Sequence, residues 1–176
     1  TQEQREATLG GVGCARKRKE DVRFIQGRGR YVDDVKLPGM LFGDFVRSPY
    51  GHARIKRIDT SKAAALPGVR AVLTAEELKP LKLHWMPTLA GDVQAVLADG
   101  KVLFQNQEVV FVVADDRYIA ADAVELVEVE YEQLDAINDP FKAMAEGAVC
   151  LREDIRDKTE GAHGKRRHYN HIFTWE

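Results

Sequence analysis

The chain has 176 residues, 44% of them hydrophobic and 31% charged, with a formal net charge of −2. A chain of this length and composition can bury its own core without disulfides or a structural metal. The near-balanced charge excludes a whole-molecule electrostatic attraction to nucleic acid or to an anionic membrane. No apolar run approaches the roughly 18 residues that a membrane helix needs, and the polar residues 1–7 do not resemble a signal peptide. The chain reads as cytoplasmic. Cys14 and Cys150 lie far apart without a CxxC spacing, and two free thiols are expected in a reducing compartment. The sequence lacks an initiator Met and stops at Trp175-Glu176 without a helix stop. It is expected to be a segment of a longer polypeptide.

Residues 1–30 carry eight Arg/Lys against four Asp/Glu, with Gly10, Gly11, Gly13, Gly27 and Gly29 interspersed and no apolar period. That pattern predicts an extended arm resting on a partner. Leu37-Pro38-Gly39 signals a turn, and residues 40–46 (MLFGDFV) read as a strand. Residues 55–58 form a short strand. Asp59-Thr60-Ser61 can cap a helix over residues 62–66, which Pro67-Gly68 stops. Residues 69–73 (VRAVL) are the next strand, and Thr74-Ala75-Glu76-Glu77 is a capping box. The connection 79–106 is broken by Pro80, Pro87, Gly91 and Gly100 yet holds Trp85, Met86, Leu89, Val93, Val96 and Leu97. It packs down locally or meets a partner.

The clearest unit follows. Residues 109–114 (VVFVVA) form an apolar run of strand length, expected to be covered on both faces. Asp115 and Asp116 supply a helix cap. Ile119, Ala120, Ala123, Val124 and Val127 then recur at helical spacing. The period changes to two at once, with Val127, Val129 and Tyr131 alternating with Glu128, Glu130 and Glu132. This is a strand with one acidic, solvated face. The chain thus holds two strand–helix–strand units with short crossovers, for which parallel pairing is the default expectation. Asp139-Pro140 opens a brief helix over residues 141–145, and the remainder is charged and irregular.

Candidates for chemistry were weighed against structural roles. Gly11-Val12-Gly13 and Gly27-Arg28-Gly29 lack the third glycine of a dinucleotide loop and follow no good strand. His163, His168 and His171 share one tail, but their spacing fits no zinc pattern. His52 and His84 stand alone, so all five are expected to pack or hydrogen-bond. Between Glu108 and Asp135 nine acids face one Arg, and periodicity puts most of them on an exposed face. No nucleophile motif occurs. Arg16-Lys17-Arg18-Lys19 lacks interleaved aromatics and runs into Glu20-Asp21. It reads as a contact with a protein partner or as a solvated arm. Neither catalytic, cofactor-binding nor metal-binding residues are therefore expected in the chain.

Several stretches resemble the large subunit of the xanthine oxidase family of molybdenum hydroxylases. They are RFIQGRGRYVDD from Arg23, LPGMLFGDFVRSPYGHARIKRIDTSKAAALPGV from Leu37, AVLTAEEL from Ala71 and QNQEVVFVVADDRYIAADAVELVEVEYEQL from Gln105. A narrower resemblance, to the carbon monoxide dehydrogenase branch, rests on KPLKLHWMPTLAGDVQAVLAD from Lys79, LREDI from Leu151 and GAHGKRRHYNHIFTWE from Gly161.

The resemblance implies an α/β (α+β) hammerhead fold with mixed sheets. It divides the chain into an extended arm at 1–30, the hammerhead at 31–146 and a charged irregular tail at 147–176. It implies a complete enzyme that oxidises CO with water to CO2. That enzyme would hold molybdenum on molybdopterin cytosine dinucleotide with a sulfide-bridged copper. FAD and two [2Fe–2S] clusters would sit on a flavoprotein medium subunit and an iron–sulfur small subunit, leading to a quinone-linked acceptor. Peripheral association of the holoenzyme with the inner membrane face is implied as well. The family's copper-holding Cys loop and C-terminal Glu have no counterpart here, so no role passes to Cys14 or Cys150. Two other readings remain open: a segment of a hydroxylase for aldehydes or N-heterocycles, and a free-standing interaction module.

Overall fold

The structure, a computed structural model, describes residues 17–83, 94–158, 160–161 and 164–172. Two units divide at Met40/Leu41, and each is taken by itself.

In the first unit, α1 (Asp21–Ile25) is a short helix with no buried residue. Its start is held by Asp21, which accepts from the Arg18 amide at 2.8 Å and from Arg18 Nε at 2.9 Å. Phe24 and Tyr31 bring their rings to 5.3 Å. Gly29 fits beneath them, since a Cβ there would lie 2.7 Å from Phe24 Cδ1. The expected extended arm is thus corrected within residues 17–30, because local capping and an aromatic pair fold the chain back. The rest of that arm, with Gly11, Gly13, Cys14 and Arg16, lies outside the described residues.

The second unit is organised by its most apolar run. β5 (Glu108–Ala114) has Val109, Val110, Val112 and Ala114 fully buried. β1 (Phe42–Arg47) and β3 (Val69–Leu73) flank it in a sheet of order β1-β5-β3. A second sheet has the order β4-β2-β6, from β4 (Lys101–Val102), β2 (Ala53–Asp59) and β6 (Glu128–Gln133). Ala53, Ala98, Val102, Val109 and Val110 form one core, with Ile55, Val129 and Tyr131 packed against it. Burial of each Val side chain stabilises by about 1.5–3 kcal/mol. Ala63, Val112 and Ala123 form a second cluster, where α2 (Ser61–Ala65) and α4 (Arg117–Glu125) cover the first sheet. Helices packed on antiparallel sheets place the fold in the α+β class.

Every ladder among the described residues is antiparallel: β1 with β5, β3 with β5, β2 with β4, β2 with β6, and β7 (Glu160–Gly161) with β8 (Gly164–Lys165). The expected parallel pairing, and the mixed sheets with it, are corrected. Each strand–helix–strand unit sends its two strands to different sheets, β2 to one and β3 to the other, then β5 and β6 in reverse. A strand therefore never pairs with the next strand of its own unit, and the rule for crossovers within one sheet does not apply.

The local signals hold. Asp116 caps α4, its carboxylate accepting from the Tyr118 amide at 2.7 Å. The Thr74–Glu77 capping box starts α3 (Ala75–Leu78), with the Thr74 amide donating to Glu77 at 2.7 Å. Asp139 caps α5 (Pro140–Ala143), accepting from the Phe141 amide at 2.8 Å. At α2 the capping oxygen is that of Asp59, which accepts from the Ser61 amide at 3.1 Å. Gly68, at φ +92°, ends the following turn in a conformation that L side chains rarely adopt.

Candidate functional site

Two polar assemblies stand out in the second unit. The first is buried where β1, β2 and β6 converge. Ser48 and His52 are each 1% exposed. The Ser48 hydroxyl accepts from the Tyr50 amide at 3.1 Å and donates to the Tyr50 carbonyl at 2.9 Å, tightening the Ser-Pro-Tyr turn after β1. His52 Nδ1 lies 2.8 Å from the Asp135 carbonyl, which can only accept, so Nδ1 carries the proton. His52 Nε2 and the Tyr131 hydroxyl are buried with no partner in hydrogen-bond geometry. Burial raises the pKa of the Tyr131 hydroxyl, against an opposing effect of the Ser48 hydroxyl. The ring of Tyr50 meets that of Tyr131 edge-on at 5.4 Å. Gln107 closes the neighbouring turn, its side-chain oxygen accepting from the Leu103 amide at 2.7 Å.

The second assembly ties together the described residues between 148 and 172. Arg166 donates to four main-chain carbonyls: those of His171 at 2.7 Å, Lys158 at 2.8 Å, Ile155 and Tyr169. Asn170 donates to the Ala143 and Val149 carbonyls at 3.0 and 2.8 Å and accepts from the Leu151 amide at 2.9 Å. The Tyr169 hydroxyl donates to the Ala148 carbonyl. These side chains supply the partners that a segment with little secondary structure cannot supply itself. Lys101 ties the segment to the sheet, donating to the Cys150 carbonyl at 3.0 Å and to Glu153 at 3.3 Å. Arg54 on β2 reaches the same carboxylate at 3.0 Å. The Lys101 hydrogen bond and charge, with Arg54 behind them, hold Glu153 below the usual carboxylate range. A cavity of about 340 Å³ opens beside this junction, lined by Lys101, Gln107 and Arg152 among others.

The candidates from the sequence are dispersed. His168 Nδ1 accepts from the Asn170 amide at 3.1 Å and His171 Nδ1 from the Arg167 amide at 3.1 Å. His84, His163 and Cys14 lie outside the described residues, and Cys150 is a free thiol. Gly27 sits in a turn at φ +67°. Four of the acids between Glu108 and Asp135 form ion pairs. Glu108 pairs with Arg47 at 2.6 Å, Asp115 with Arg70 at 2.6 Å, Glu132 with Lys56 at 2.6 Å and Glu128 with Lys62. The acidic face of β6 is thus matched by basic residues from β2 and α2. Among the described residues, no three His, Cys, Asp or Glu are grouped to hold a metal ion. No helix among them is long and apolar enough to cross a membrane.

Reading from the sequence missed Arg166, Tyr169 and Asn170. The signal was present in Arg166-Arg167-His168-Tyr169-Asn170, a run of multivalent donors in a segment without period. Such side chains satisfy main-chain groups that irregular backbone leaves open.

Two interlocked antiparallel sheets under two helices define a hammerhead domain of the molybdenum hydroxylase type. The family model for aldehyde oxidase and xanthine dehydrogenase, a/b hammerhead domain, matches residues 26–135, and the chain belongs to that family. The chain is 73% identical, over all 176 residues, to the carbon monoxide dehydrogenase large chain of Afipia carboxidovorans, of which it covers 22%. It is similar to the crystal structure of a Cu,Mo-CO dehydrogenase in its carbon monoxide reduced state, with 74% identity and a TM-score of 0.80 over 96% of this chain and 21% of that one. It is also similar to quinoline 2-oxidoreductase from Pseudomonas putida 86, with 39% identity and a TM-score of 0.66 over 80% of this chain and 18% of that one. The chain therefore spans about a fifth of the length of the proteins it matches.

Proposed function

We propose that this chain is a scaffold and interface segment of the large subunit of a copper- and molybdenum-dependent carbon monoxide dehydrogenase. One observation carries the reading: the 73% identity to a carbon monoxide dehydrogenase large chain runs through all 176 residues. Identity falls to 39% against the N-heterocycle enzyme that shares the fold. In this proposal the complete enzyme oxidises CO with water to CO2 in the cytoplasm. Its electrons pass through [2Fe–2S] clusters and FAD on two partner subunits to a quinone-linked acceptor. Molybdopterin cytosine dinucleotide, molybdenum and copper belong to the rest of the large subunit.

The described residues form no ligand set for either metal, so no chemical step is assigned to this chain. Its proposed contribution is mechanical. The division into an arm at 1–30, a hammerhead at 31–146 and a tail at 147–176 is part of the same proposal. The hammerhead core would fix the position from which the tail reaches the remainder of the subunit.

Two measurements test it. The intact natural polypeptide should have a mass several-fold above 19.8 kDa. Its purified holoenzyme should contain copper beside molybdenum and reduce an electron acceptor when given CO. Molybdenum without copper, together with turnover of an aldehyde or N-heterocycle, would replace this reading with another hydroxylase. A natural mass of 19.8 kDa would point to a separate interaction module.

A further inference from the structure

We infer that the outer face of the β1-β5-β3 sheet, turned away from α2 and α4, is a docking surface for the remainder of the same polypeptide. The inference rests on the proposed reading of the chain as a segment of a larger subunit. The face is made by Phe45 on β1, Phe111 and Val113 on β5, and Ala71 and Leu73 on β3, all half-buried. The registers Phe45↔Phe111↔Leu73 and Val113↔Ala71 set these side chains next to one another on one surface. Leu41, which precedes β1 and is 46% exposed, continues the row by strand alternation.

The alternation along the strands is the first support. Val46, Val72, Val110 and Val112 turn inward, where they belong to the two buried clusters or pack on them. Among the described residues, neither cluster includes Phe45, Ala71, Leu73, Phe111 or Val113 or has them packed against it. Yet β5 is apolar on both faces, the pattern of a strand covered on both sides. Within the described residues, α2, α4 and the second sheet cover its inner face.

Shape and charge are the second, independent support. The Phe111 ring leans across β1 into the space that a side chain at Gly43 would take, since a Cβ there would lie 2.4 Å from Phe111 Cζ. The Phe45 ring lies beside it, with centroids 4.6 Å apart and planes at 34°. Two rings leaning over a glycine form a low aromatic platform. Its ends are polar but neutralised. The Arg47 guanidinium lies 5.3 Å from the Phe45 ring centre and pairs with Glu108 at 2.6 Å. At the other end of β5, Arg70 pairs with Asp115 at 2.6 Å. An apolar aromatic centre with a polar rim is the anatomy of a protein interface.

The occupant follows from that chemistry and from length. With its charges paired, the face selects an apolar partner, and apolar interfaces are characteristic of permanent association. The chain covers 22% of a relative to which it is 73% identical throughout. Most of such a polypeptide is therefore tethered to this sheet. Tethering sets an effective concentration on the order of millimolar, which favours the attached surface over a free partner.

The test uses the full-length natural polypeptide in its holoenzyme, with the photoreactive residue p-benzoylphenylalanine in place of Phe45 in one variant and of Leu41 in another. Irradiation followed by peptide mass spectrometry identifies what lies on the face, and a mixture of light and heavy-isotope polypeptide separates a second copy. The expected result is cross-links to peptides of the same polypeptide that lie outside these 176 residues. Cross-links confined to another subunit, to a second copy or to residues within the 176, or their absence, overturn the inference. Should the Phe45 variant fail to assemble, Leu41, at an exposed position, carries the comparison. Metal content does not enter the result. Loss of the carbon monoxide reading with cross-links as expected leaves the inference standing, whereas cross-links elsewhere in a copper- and molybdenum-containing enzyme overturn it alone. A natural mass of 19.8 kDa overturns both.

Discussion

His52 and Asp135 close the open end of the second sheet. His52 Nδ1 donates to the Asp135 carbonyl at 2.8 Å, and the Leu134 amide donates to the His52 carbonyl at 2.9 Å. Together these bonds extend the β2–β6 ladder one step beyond β6. The first of them passes through a side chain that is 1% exposed.

Removing that side chain should therefore loosen the ladder from its end. His52→Ala deletes a buried ring and its hydrogen bond to the Asp135 carbonyl, which should cost about 2–4 kcal/mol. Hydrogen exchange at the Leu134 amide should accelerate accordingly. His52→Asn keeps a donor near the position of Nδ1 and should recover part of the loss. Exchange within twofold of the parent in His52→Ala would show that the tie contributes nothing.

Acid should destabilise the same unit by a mechanism with a definite sign. Hydrogen bonds and charge from Arg70, Arg152, Lys56 and Lys101 depress the carboxyls of Asp115, Asp154, Glu132 and Glu153. A carboxyl depressed in the folded state contributes stability above its unfolded pKa, about 3.9 for Asp and 4.3 for Glu, and loses it as pH falls through the folded value. Stability should thus be flat from neutral pH to about 5 and decline below about 4. Asp154→Asn should make the acid limb of a melting-temperature profile shallower. An unchanged limb would remove the Arg152–Asp154 pair from the account.

Strand β6 offers a comparison of its two faces. Val129 packs against the core, whereas Glu130 is exposed on the other side. Val129→Asp should cost about 2–4 kcal/mol by placing an unpaired charge in an apolar contact. Glu130→Ala should change stability by less than about 0.5 kcal/mol. Urea denaturation of the two variants checks this, and equal effects would contradict the assigned register.

Arg166 should be irreplaceable by Lys despite the equal charge. A single ammonium cannot reach four carbonyls placed around a planar fork. Loss of one or more charge-assisted bonds at about 1.5–3 kcal/mol each should populate local opening of the segment at least about tenfold more. Limited trypsin digestion should then cleave at Arg156 and Lys158 faster, while cleavage within the hammerhead core stays unchanged. Equal rates at all sites would count against a local role.

Much of the local structure was legible in residue order. The period-two pattern at Val127, Val129 and Tyr131 marks β6, and the helical recurrence of Ile119, Ala120 and Ala123 marks α4. Thr74-Glu77, Asp116 and Asp139 marked helix starts with the hydrogen bonds later observed. Caps and periods are readable because they act over four residues or fewer. The cap on α2 shows the margin, since the oxygen used is that of Asp59, one position earlier than Thr60.

The sequence by itself marked β1, β2, β3, β5 and β6, the helices α2 to α5, the apolar faces of β5 and β6, and the outer face that carries the acids around β6; it did not show α1, β4, β7 or β8. Only the tertiary structure decided that β5 lies between β1 and β3, and that each strand–helix–strand unit straddles two antiparallel sheets. It also placed Lys101, Arg166 and Asn170 as the ties that order the tail. The physical reason is range. Strand partnership depends on how two apolar faces close over a shared core, and the tail's hydrogen bonds join residues up to 99 positions apart. No local period encodes either.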